Sequence, residues 1–363
     1  MRTTVGEIDI KMKNSQKSVA IIGAGMAGLG AAKTLLQAGH RVTLFEKSWG
    51  VGGRVATRTI EGSRFDHGAQ IIKPEGSELE AVMLQELPVL ELVEVPEPVV
   101  VFNSQGARLP VDPVRNAEKK YSYARGATTL PKLLISSFPE ERFTLHLESR
   151  IARFEESRES VTLFDHEKRD LGKFDSVIIT APAPQTADLI ESSLMQNETV
   201  QNSQVSALRS IKYRPCLSVL LGYESQLTED PVYALIAEDR SNPLLWLAFE
   251  HLKSPFRSPN KTTLLIAQFG GEFSEASYSA PDSDILEATY ESMQDILPFD
   301  CKSPLFAQVK KWRYSQPNGT IAFSEANPEP PRIVVAGDAL RPGNGRVQEA
   351  FASGIEAGKV VMG

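Results

Sequence analysis

The stretch VAIIGAGMAGLGAA, residues 19–32, decides the fold of this chain. Its first four residues form a short apolar, β-branched run that predicts a buried strand, and the apolar segment after Gly25 predicts a helix. Gly23, Gly25 and Gly28 fit the pattern GxGxxG between the two. The first glycine permits a tight turn, the second lets the backbone approach a pyrophosphate, and the third allows close packing of helix and strand. The helix N-terminus adds unpaired N–H groups, so the stretch predicts a dinucleotide-binding turn.

A carboxylate behind this turn strengthens the interpretation. A second strand is predicted over residues 41–47, which makes the opening a β-α-β unit. Glu46 lies 18 positions after Gly28, close to the roughly 20 expected of an acid that accepts hydrogen bonds from a ribose diol. The alternative is that Glu46 is a surface carboxylate beside Lys47.

Two further segments favour FAD over NAD. In SWGVGGRVATR, residues 48–58, a second glycine cluster precedes Arg54. A longer cofactor needs a second close backbone approach and a cation near its diphosphate, whereas Arg54 could also be a surface residue that caps a loop.

Near the end of the chain, Gly337-Asp338 follows a predicted strand and a helix is predicted from about Val347. The carboxylate could meet a ribityl chain and the helix N-terminus a flavin edge; the alternative is an ordinary capped helix.

Bulk properties limit the class of protein. The 363 residues are 41% hydrophobic, which predicts two domains. The net charge of −7, without a Lys/Arg-rich block, argues against nucleic acid or an anionic membrane surface as partner, so a small-molecule substrate is expected. Cys216 and Cys301 have no metal-site or disulfide spacing and are predicted to be buried thiols, with no metal bound. Residues 1–17 are predicted to be a disordered extension; no signal or membrane span is predicted, and the protein is expected to be cytoplasmic.

The predicted fold class is α/β. It comprises a Rossmann-type FAD-binding domain, with a doubly wound parallel sheet and a β-meander, and an α+β substrate domain with an antiparallel sheet. We assign residues 18–75, 121–184 and 305–363 to the FAD-binding domain, and residues 76–120 and 185–304 to the substrate domain. The segments between residues 143 and 181 are predicted to form the meander and return to a central strand.

Five segments together resemble the FAD-binding superfamily that contains the amine oxidases, and in detail they look similar to renalase and its bacterial relatives. They are GAGMAG, GGRVATR, FDHGAQ at 65–70, KKWRYSQP at 310–317, and GDA followed by GRVQEAFASGIEAG. The resemblance implies that non-covalently bound FAD contacts Gly23, Gly25, Gly28, Glu46, Lys47, Gly53, Arg54, Gly68, Ala69, Gln70, Ile151, Gly337, Asp338, Arg346 and Val347. Ile151 is placed in a strand that flanks adenine, with a core residue as the equal alternative. Three departures affect the substrate more than the cofactor: Ile71-Ile72 replace an aromatic pair, Ala339 replaces Trp, and Gln348 stands where Glu is common.

The resemblance also implies a reaction. Renalase-like enzymes oxidise isomeric dihydronicotinamide dinucleotides by hydride transfer to flavin N5, and oxygen then reoxidises the flavin to give hydrogen peroxide. Such a step needs little acid–base help, which agrees with the lack of a catalytic dyad in the sequence. His67 is a candidate to face the flavin or a structural histidine, and Trp312 and Tyr314 either wall an aromatic substrate or pack in the core, with Arg313 pointing the other way on a strand.

Three other functions stay open. An amine oxidase or desaturase-like flavoenzyme would share the cofactor residues and differ in the second domain. A flavin-binding sensor or scaffold would bind the same cofactor without turnover. An NAD-dependent dehydrogenase is disfavoured by the segments GGR and GD.

Overall fold

The computed structural model describes residues 16–114, 116–224, 231–328, 332–343 and 345–363, so the predicted extension lies outside them except for residues 16 and 17. The strands are β1 (Ser18–Ile22), β2 (Arg41–Phe45), β3 (Thr57–Ile60), β4 (Ser63–Asp66), β5 (Leu92–Glu94), β6 (Val99–Phe102), β7 (Tyr121–Tyr123), β8 (Phe143–His146), β9 (Arg153–Glu156), β10 (Val161–Phe164), β11 (Asp170–Phe174), β12 (Ser176–Ile179), β13 (Lys212–Tyr223), β14 (Ala234–Ala237), β15 (Leu244–Phe249), β16 (Thr263–Phe269), β17 (Phe306–Asn318) and β18 (Ile333–Val335). The α-helices are α1 (Met26–Gln37), α2 (Glu78–Ala81), α3 (Thr129–Ser136), α4 (Ala183–Glu191), α5 (Glu198–Ser210), α6 (Gly271–Ala276), α7 (Asp282–Gln294), α8 (Phe323–Ala326) and α9 (Val347–Met362). Single turns of other helix types cover Val82–Glu86, Glu250–Leu252 and Asp338–Leu340.

The first layer is a parallel sheet with strand order β18-β12-β1-β2-β8. Successive side chains of a strand point to opposite faces, and β1 follows this rule. Val19 and Ile21 lie in the core cluster that contains α1 and α9, whereas Ala20 lies in the cluster that contains β9–β11 and α4. The sheet is therefore covered on both faces, and the predicted Rossmann-type fold with a meander of β9–β11 is confirmed.

Helices α1 and α9 pack at backbone contact. A Cβ atom added at Gly354 would lie 1.8 Å from the carbonyl oxygen of Ala27, so only glycine allows this approach. The contact fixes the end of the chain against the first helix. It thereby places the segment before α9 beside the glycine turn before α1.

The second layer is a sheet with strand order β17-β13-β16-β15-β14-β6, antiparallel except for the β14–β6 pair. The structure places two segments in a different layer from the one that the predicted domain division assigns to them. Residues 306–318, assigned by sequence to the FAD-binding domain, form β17 and pair along β13, because the chain leaves this sheet only after Asn318. Helix α5 and α4 from residue 185 onward, assigned to the substrate domain, pack with β12 and β18 of the parallel sheet through their apolar faces.

The first strand predicted for the meander, β8, belongs to the parallel sheet instead. β8 pairs in parallel with β2, because the preceding α3 makes a crossover connection, and such connections join parallel strands. Ile151 lies between β8 and β9 rather than in a strand, and its buried side chain packs in the core cluster that contains Phe45. Both cysteines are free thiols; Cys301 is buried and Cys216 is half-buried. Within the described residues, no helix combines the length and apolarity that a membrane crossing requires.

Candidate active site

The glycine turn between β1 and α1 forms a cradle of backbone groups. Gly25 caps α1 without a side-chain hydrogen bond, so the first N–H groups of the helix have no capping side chain. A Cβ atom at Gly25 would meet no atom within 4 Å, which leaves open space directly in front of that helix end. Gly52 donates its N–H to the carbonyl oxygen of Ala24 at 2.8 Å, which brings the second glycine cluster against the first. A helix N-terminus that opens onto free space fits a diphosphate.

Glu46 lies inside this cradle rather than on the surface. Its side chain is buried, Oε2 accepts a hydrogen bond from the N–H of Ala24 at 2.9 Å, and Oε1 accepts one from Ser48 at 2.8 Å. Each carboxylate oxygen has further acceptor capacity, which suits a ribose hydroxyl. Lys47 points away, and its Nζ donates to Oε1 of Gln185 at 3.1 Å on α4.

Arg54 and Asp338, predicted as separate cofactor contacts, form an ion pair. Nη1 and Nη2 of Arg54 donate to Oδ2 and Oδ1 of Asp338 at 2.6 and 2.9 Å, and Nη1 also donates to the carbonyl oxygen of Ser315 at 3.0 Å. Burial alone lowers the pKa of the Arg54 guanidinium, but Asp338 outweighs it and raises that pKa, so Arg54 stays protonated. Tyr213, which the sequence analysis missed, donates its hydroxyl to Oδ1 of Asp338 at 2.9 Å. The ring of Tyr314 contacts the Tyr213 ring edge-on at 5.8 Å.

The segment 65–70 passes next to Arg54. The N–H of Ala69 donates to the carbonyl oxygen of Arg54 at 2.9 Å, and a Cβ atom at Gly68 would lie 2.0 Å from that oxygen, so position 68 requires glycine. The ring of His67 stacks on Trp312 with centroids 5.3 Å apart and planes 19° apart. Nε1 of Trp312 donates to the carbonyl oxygen of His67 at 2.8 Å. The glycine backbone and the stacked rings thus form one surface.

Two buried polar atoms on this segment lack a hydrogen-bond partner among the described residues: Nδ1 of His67 and Oε1 of Gln70. A buried polar atom without a partner costs free energy, and such an atom indicates a ligand or water that completes it. Together with the open space at Gly25, these atoms fit a cofactor as long as FAD. Burial, followed by the positive charges of Lys310 and Arg58, lowers the pKa of His67 to about 4, so this ring is neutral near pH 7.

The other residues predicted to contact FAD lie at the periphery of the glycine cradle and the stacked rings. Ile151 is a core residue, as described above. Gly337 donates its N–H to Oγ of Ser353 at 3.0 Å, which holds the GD turn against α9. Arg346 precedes α9 as its N-cap residue without a side-chain hydrogen bond, its side chain is exposed, and Val347 is the first residue of that helix. Arg313 points away from Trp312, as predicted, and its guanidinium lies 5.2 Å from the Tyr278 ring.

The sequence analysis also missed a buried charge network, formed by Asp66, Glu250, Lys253 and Arg257, whose side chains are all 0% exposed. Oδ2 of Asp66 accepts from Arg257 at 2.7 Å and from Lys253 at 3.1 Å. Glu250 binds the same two cations at 3.0 and 2.5 Å. The network joins β4, which leads into Gly68, to the turn after β15. The charges of EHLKSPFR, residues 250–257, directly after an apolar strand were the one available signal.

Comparisons with known proteins agree with this geometry. The family model described as flavin containing amine oxidoreductase matches residues 118–362, and that of an NAD(P)-binding Rossmann-like domain matches residues 21–87. A putrescine oxidase from Kocuria rosea is 41% identical over 68 residues, 19% of this chain and 14% of that protein. An L-amino-acid oxidase from Bungarus fasciatus is 58% identical over 48 residues, 13% of this chain and 9% of that protein. The matches thus span only a small part of these curated relatives.

Solved structures show a likeness over nearly the whole chain. Reduced UDP-galactopyranose mutase superposes with a TM-score of 0.77 at 15% identity, covering 96% of each chain. Cyclohexylamine oxidase from Brevibacterium oxydans IH-35A superposes with a TM-score of 0.73 at 14% identity, covering 96% of this chain and 99% of that one. At these identities the likeness shows the fold.

Proposed function

The chain belongs to the family of flavin-containing amine oxidoreductases, its cofactor is FAD, and we propose that within this family it is a renalase-like oxidase of dihydronicotinamide-type substrates. When bound, FAD would supply the redox chemistry, which is uptake of a hydride from the substrate and, with one proton from solvent, reduction of oxygen to hydrogen peroxide; Gly25, Glu46 and Arg54 would hold it. The protein supplies binding, orientation and electrostatics.

The observation that carries the proposal is the stacked pair of His67 and Trp312 against Gly68. A Cβ atom at Gly68 would lie 3.4 Å from Cζ2 of Trp312, so the indole edge borders the backbone predicted to lie next to the flavin. Planar rings offer a planar substrate a large contact area at low entropic cost. A dihydropyridine ring has the shape for this surface.

The protonation state of His67 supports the same reaction class. Burial and nearby cations lower the pKa of His67 to about 4, so the ring is neutral near pH 7 and does not act as a general acid there. Hydride transfer from a dihydropyridine requires no proton transfer by the protein in the same step. A neutral, stacked histidine is therefore sufficient here as part of a binding surface.

The second candidate is an amine oxidase, favoured by the family match and by the short match to a putrescine oxidase. Anaerobic mixing of the FAD-loaded enzyme with dihydronicotinamide isomers, and separately with amines, separates the two. We expect the isomers alone to bleach the flavin absorbance, and air to restore it with release of hydrogen peroxide. Bleaching by amines alone would refute the proposal, and bleaching by neither would favour a sensor or scaffold.

A variant pair tests the role of the stacked rings. Loss of an aromatic stack costs about 0.5–1.5 kcal/mol, so Trp312→Leu should raise the KM for the isomers about 2- to 10-fold. Trp49 is 83% exposed, so Trp49→Leu is the matched control and should leave KM unchanged. Equal KM values in wild type and Trp312→Leu would contradict substrate stacking at this position.

A further inference from the structure

The antiparallel sheet holds the segment 67–71 by its carbonyl oxygens. Three side chains of the sheet each donate a hydrogen bond to one of them: Trp312 to His67 at 2.8 Å, Gln268 to Gly68 at 3.2 Å and Tyr233 to Gln70 at 3.3 Å. Trp312 lies on β17, Gln268 on β16, and Tyr233 directly before β14. The three donors are therefore spread over one sheet, which fixes the course of the segment across it.

All three groups keep the proton that they donate. Tyr233 is 0% exposed, and burial raises the pKa of its hydroxyl well above the ordinary value. The indole N–H of Trp312 is a donor only, and so is the amide nitrogen of Gln268, which also donates to Oγ of Ser218 at 3.2 Å. The hold on the segment is therefore independent of pH in the neutral range.

The direction of these carbonyl groups fixes the direction of the N–H groups that follow them. In a planar trans peptide, the C=O of one residue and the N–H of the next point in opposite directions, and this segment has trans peptide bonds. With the carbonyl groups turned toward the sheet, the N–H groups of Gly68, Ala69 and Ile71 point away from it. That of Ala69 donates to the carbonyl oxygen of Arg54 at 2.9 Å, on the side of the predicted FAD contacts.

The other two N–H groups have no acceptor within the part of the chain that the structure describes. Neither Gly68 nor Ile71 donates its N–H to a described residue, although both residues are half-buried. Backbone N–H groups in such positions are nearly always paired, so an unpaired one indicates a ligand or water as acceptor. The segment that the resemblance predicts to contact FAD thus offers two oriented donors.

We propose that Gln268, Tyr233 and Trp312 are positioning residues that aim the N–H groups of Gly68 and Ile71 at polar ring atoms of bound FAD. This inference rests on the FAD-binding part of the proposed function and not on the substrate. The flavin ring becomes more negative on reduction, so fixed N–H donors stabilise the reduced form more than the oxidised form. Through these side chains, the antiparallel sheet sets how readily the flavin is reduced.

The midpoint potential of the bound flavin tests this role. Tyr233→Phe and Gln268→Met each remove one donor and keep the size of the side chain, whereas Trp312 is left intact because it also forms the proposed substrate surface. Loss of one hydrogen bond should weaken the preference for reduced over oxidised FAD about 3- to 10-fold. In a two-electron couple this lowers the potential by about 14–30 mV.

Tyr223→Phe is the matched control. Tyr223 is 2% exposed and donates its hydroxyl to the carbonyl oxygen of Cys301 at 2.8 Å. It packs in the core cluster on the opposite face of the sheet from Tyr233. This variant should lose stability and keep the potential of wild type.

The potentials are measured anaerobically, by equilibrating the FAD-loaded proteins with a dye of known potential. Potentials of Tyr233→Phe and Gln268→Met equal to that of wild type would overturn the inference, because lost packing alone lowers stability without moving the potential. An equal shift in Tyr223→Phe would also overturn it. Tyr233→Phe removes a single oxygen atom, so it decides the question even where Gln268→Met fails to fold.

Because no substrate is present, this inference and the proposed function fail separately. Shifted potentials in an enzyme that the dihydronicotinamide isomers do not bleach would leave the inference standing and refute the proposed reaction. Unshifted potentials in an enzyme that the isomers do bleach would refute the inference and leave the reaction standing.

Discussion

Replacing Asp66 by asparagine should destabilise the protein strongly. Asp66 is 0% exposed and binds Arg257 and Lys253, so the neutral, isosteric asparagine leaves those two buried cations with Glu250 as their one carboxylate in the network. Breaking a buried ion pair by removing one partner costs about 3–5 kcal/mol. The unfolding entropy is about 2.1 cal/mol/K per residue, or about 0.76 kcal/mol/K for 363 residues that unfold in one transition, so the melting temperature should fall by about 4–7 °C.

The control is Asp188→Asn, which makes the same substitution in an exposed pair. Asp188 and Arg209 are 64% and 41% exposed, and such pairs contribute about 0–1 kcal/mol. Urea unfolding of the FAD-loaded protein, followed by circular dichroism, gives the free energy of unfolding for wild type and both variants. Equal losses in Asp66→Asn and Asp188→Asn would refute the view that the network holds the segment leading to Gly68.

Acid should weaken the effect of Asp66→Asn. Burial alone raises the pKa of Asp66, but Arg257 and Lys253, with hydrogen bonds from Arg257 and Thr57, hold it well below its ordinary value. A carboxyl whose pKa is depressed by folding stabilises the protein above its unfolded-state pKa, about 3.9, and this contribution is lost as pH falls through the folded-state pKa. The difference in stability between wild type and Asp66→Asn should therefore shrink below about pH 4.

Three further substitutions test the site. Gly25→Ala should fold normally but bind FAD at least about tenfold more weakly, because its methyl group would enter the space in front of α1. An FAD affinity equal to that of wild type would contradict this. The pKa of His67 is lowered to about 4 from 6.5, so the unfolded state binds more protons between those values and stability falls as pH decreases through that window. His67→Gln should flatten that slope in urea unfolding at pH 5 and 7, and an unchanged slope would contradict the assignment. Tyr213→Phe removes a donor to Asp338 and should lower the free energy of unfolding by about 1.5–3 kcal/mol; a loss below about 0.5 kcal/mol would show that the hydroxyl bond is not needed.

Local patterns were sufficient to predict the β-α-β unit on which the proposed cofactor contacts lie. The glycine turn and the alternation along β17 each depend on residues within a few positions of one another, and Glu46 follows Gly28 at the spacing of 18 positions that a β-α-β unit produces. Arg54 and Asp338 were both predicted as site residues, but their ion pair joins positions 284 apart, and no local period reports such a contact. Tyr213 was missed for the same reason.

The buried network was not predictable from residue type. In a sequence, Glu250, Lys253 and Arg257 have the spacing of an exposed helical face, and charged residues are mostly exposed. Their burial results from the packing of the turn after β15 against β4 and β7, which are distant in sequence. The strand β8 was misassigned because a short apolar run carries no information on whether its partner is parallel or antiparallel.

Strand β17 contacts two arginines at its two ends, of which one is a predicted FAD contact. Its carbonyl group at Ser315 accepts a hydrogen bond from Arg54, so the C-terminal half of the strand is held by the residues predicted to bind FAD. Its N-terminal half carries Gln308 and Lys310 away from that contact, toward Arg58. Substitutions at 308 and 310 should therefore leave FAD affinity intact, whereas changes around 315 should lower it.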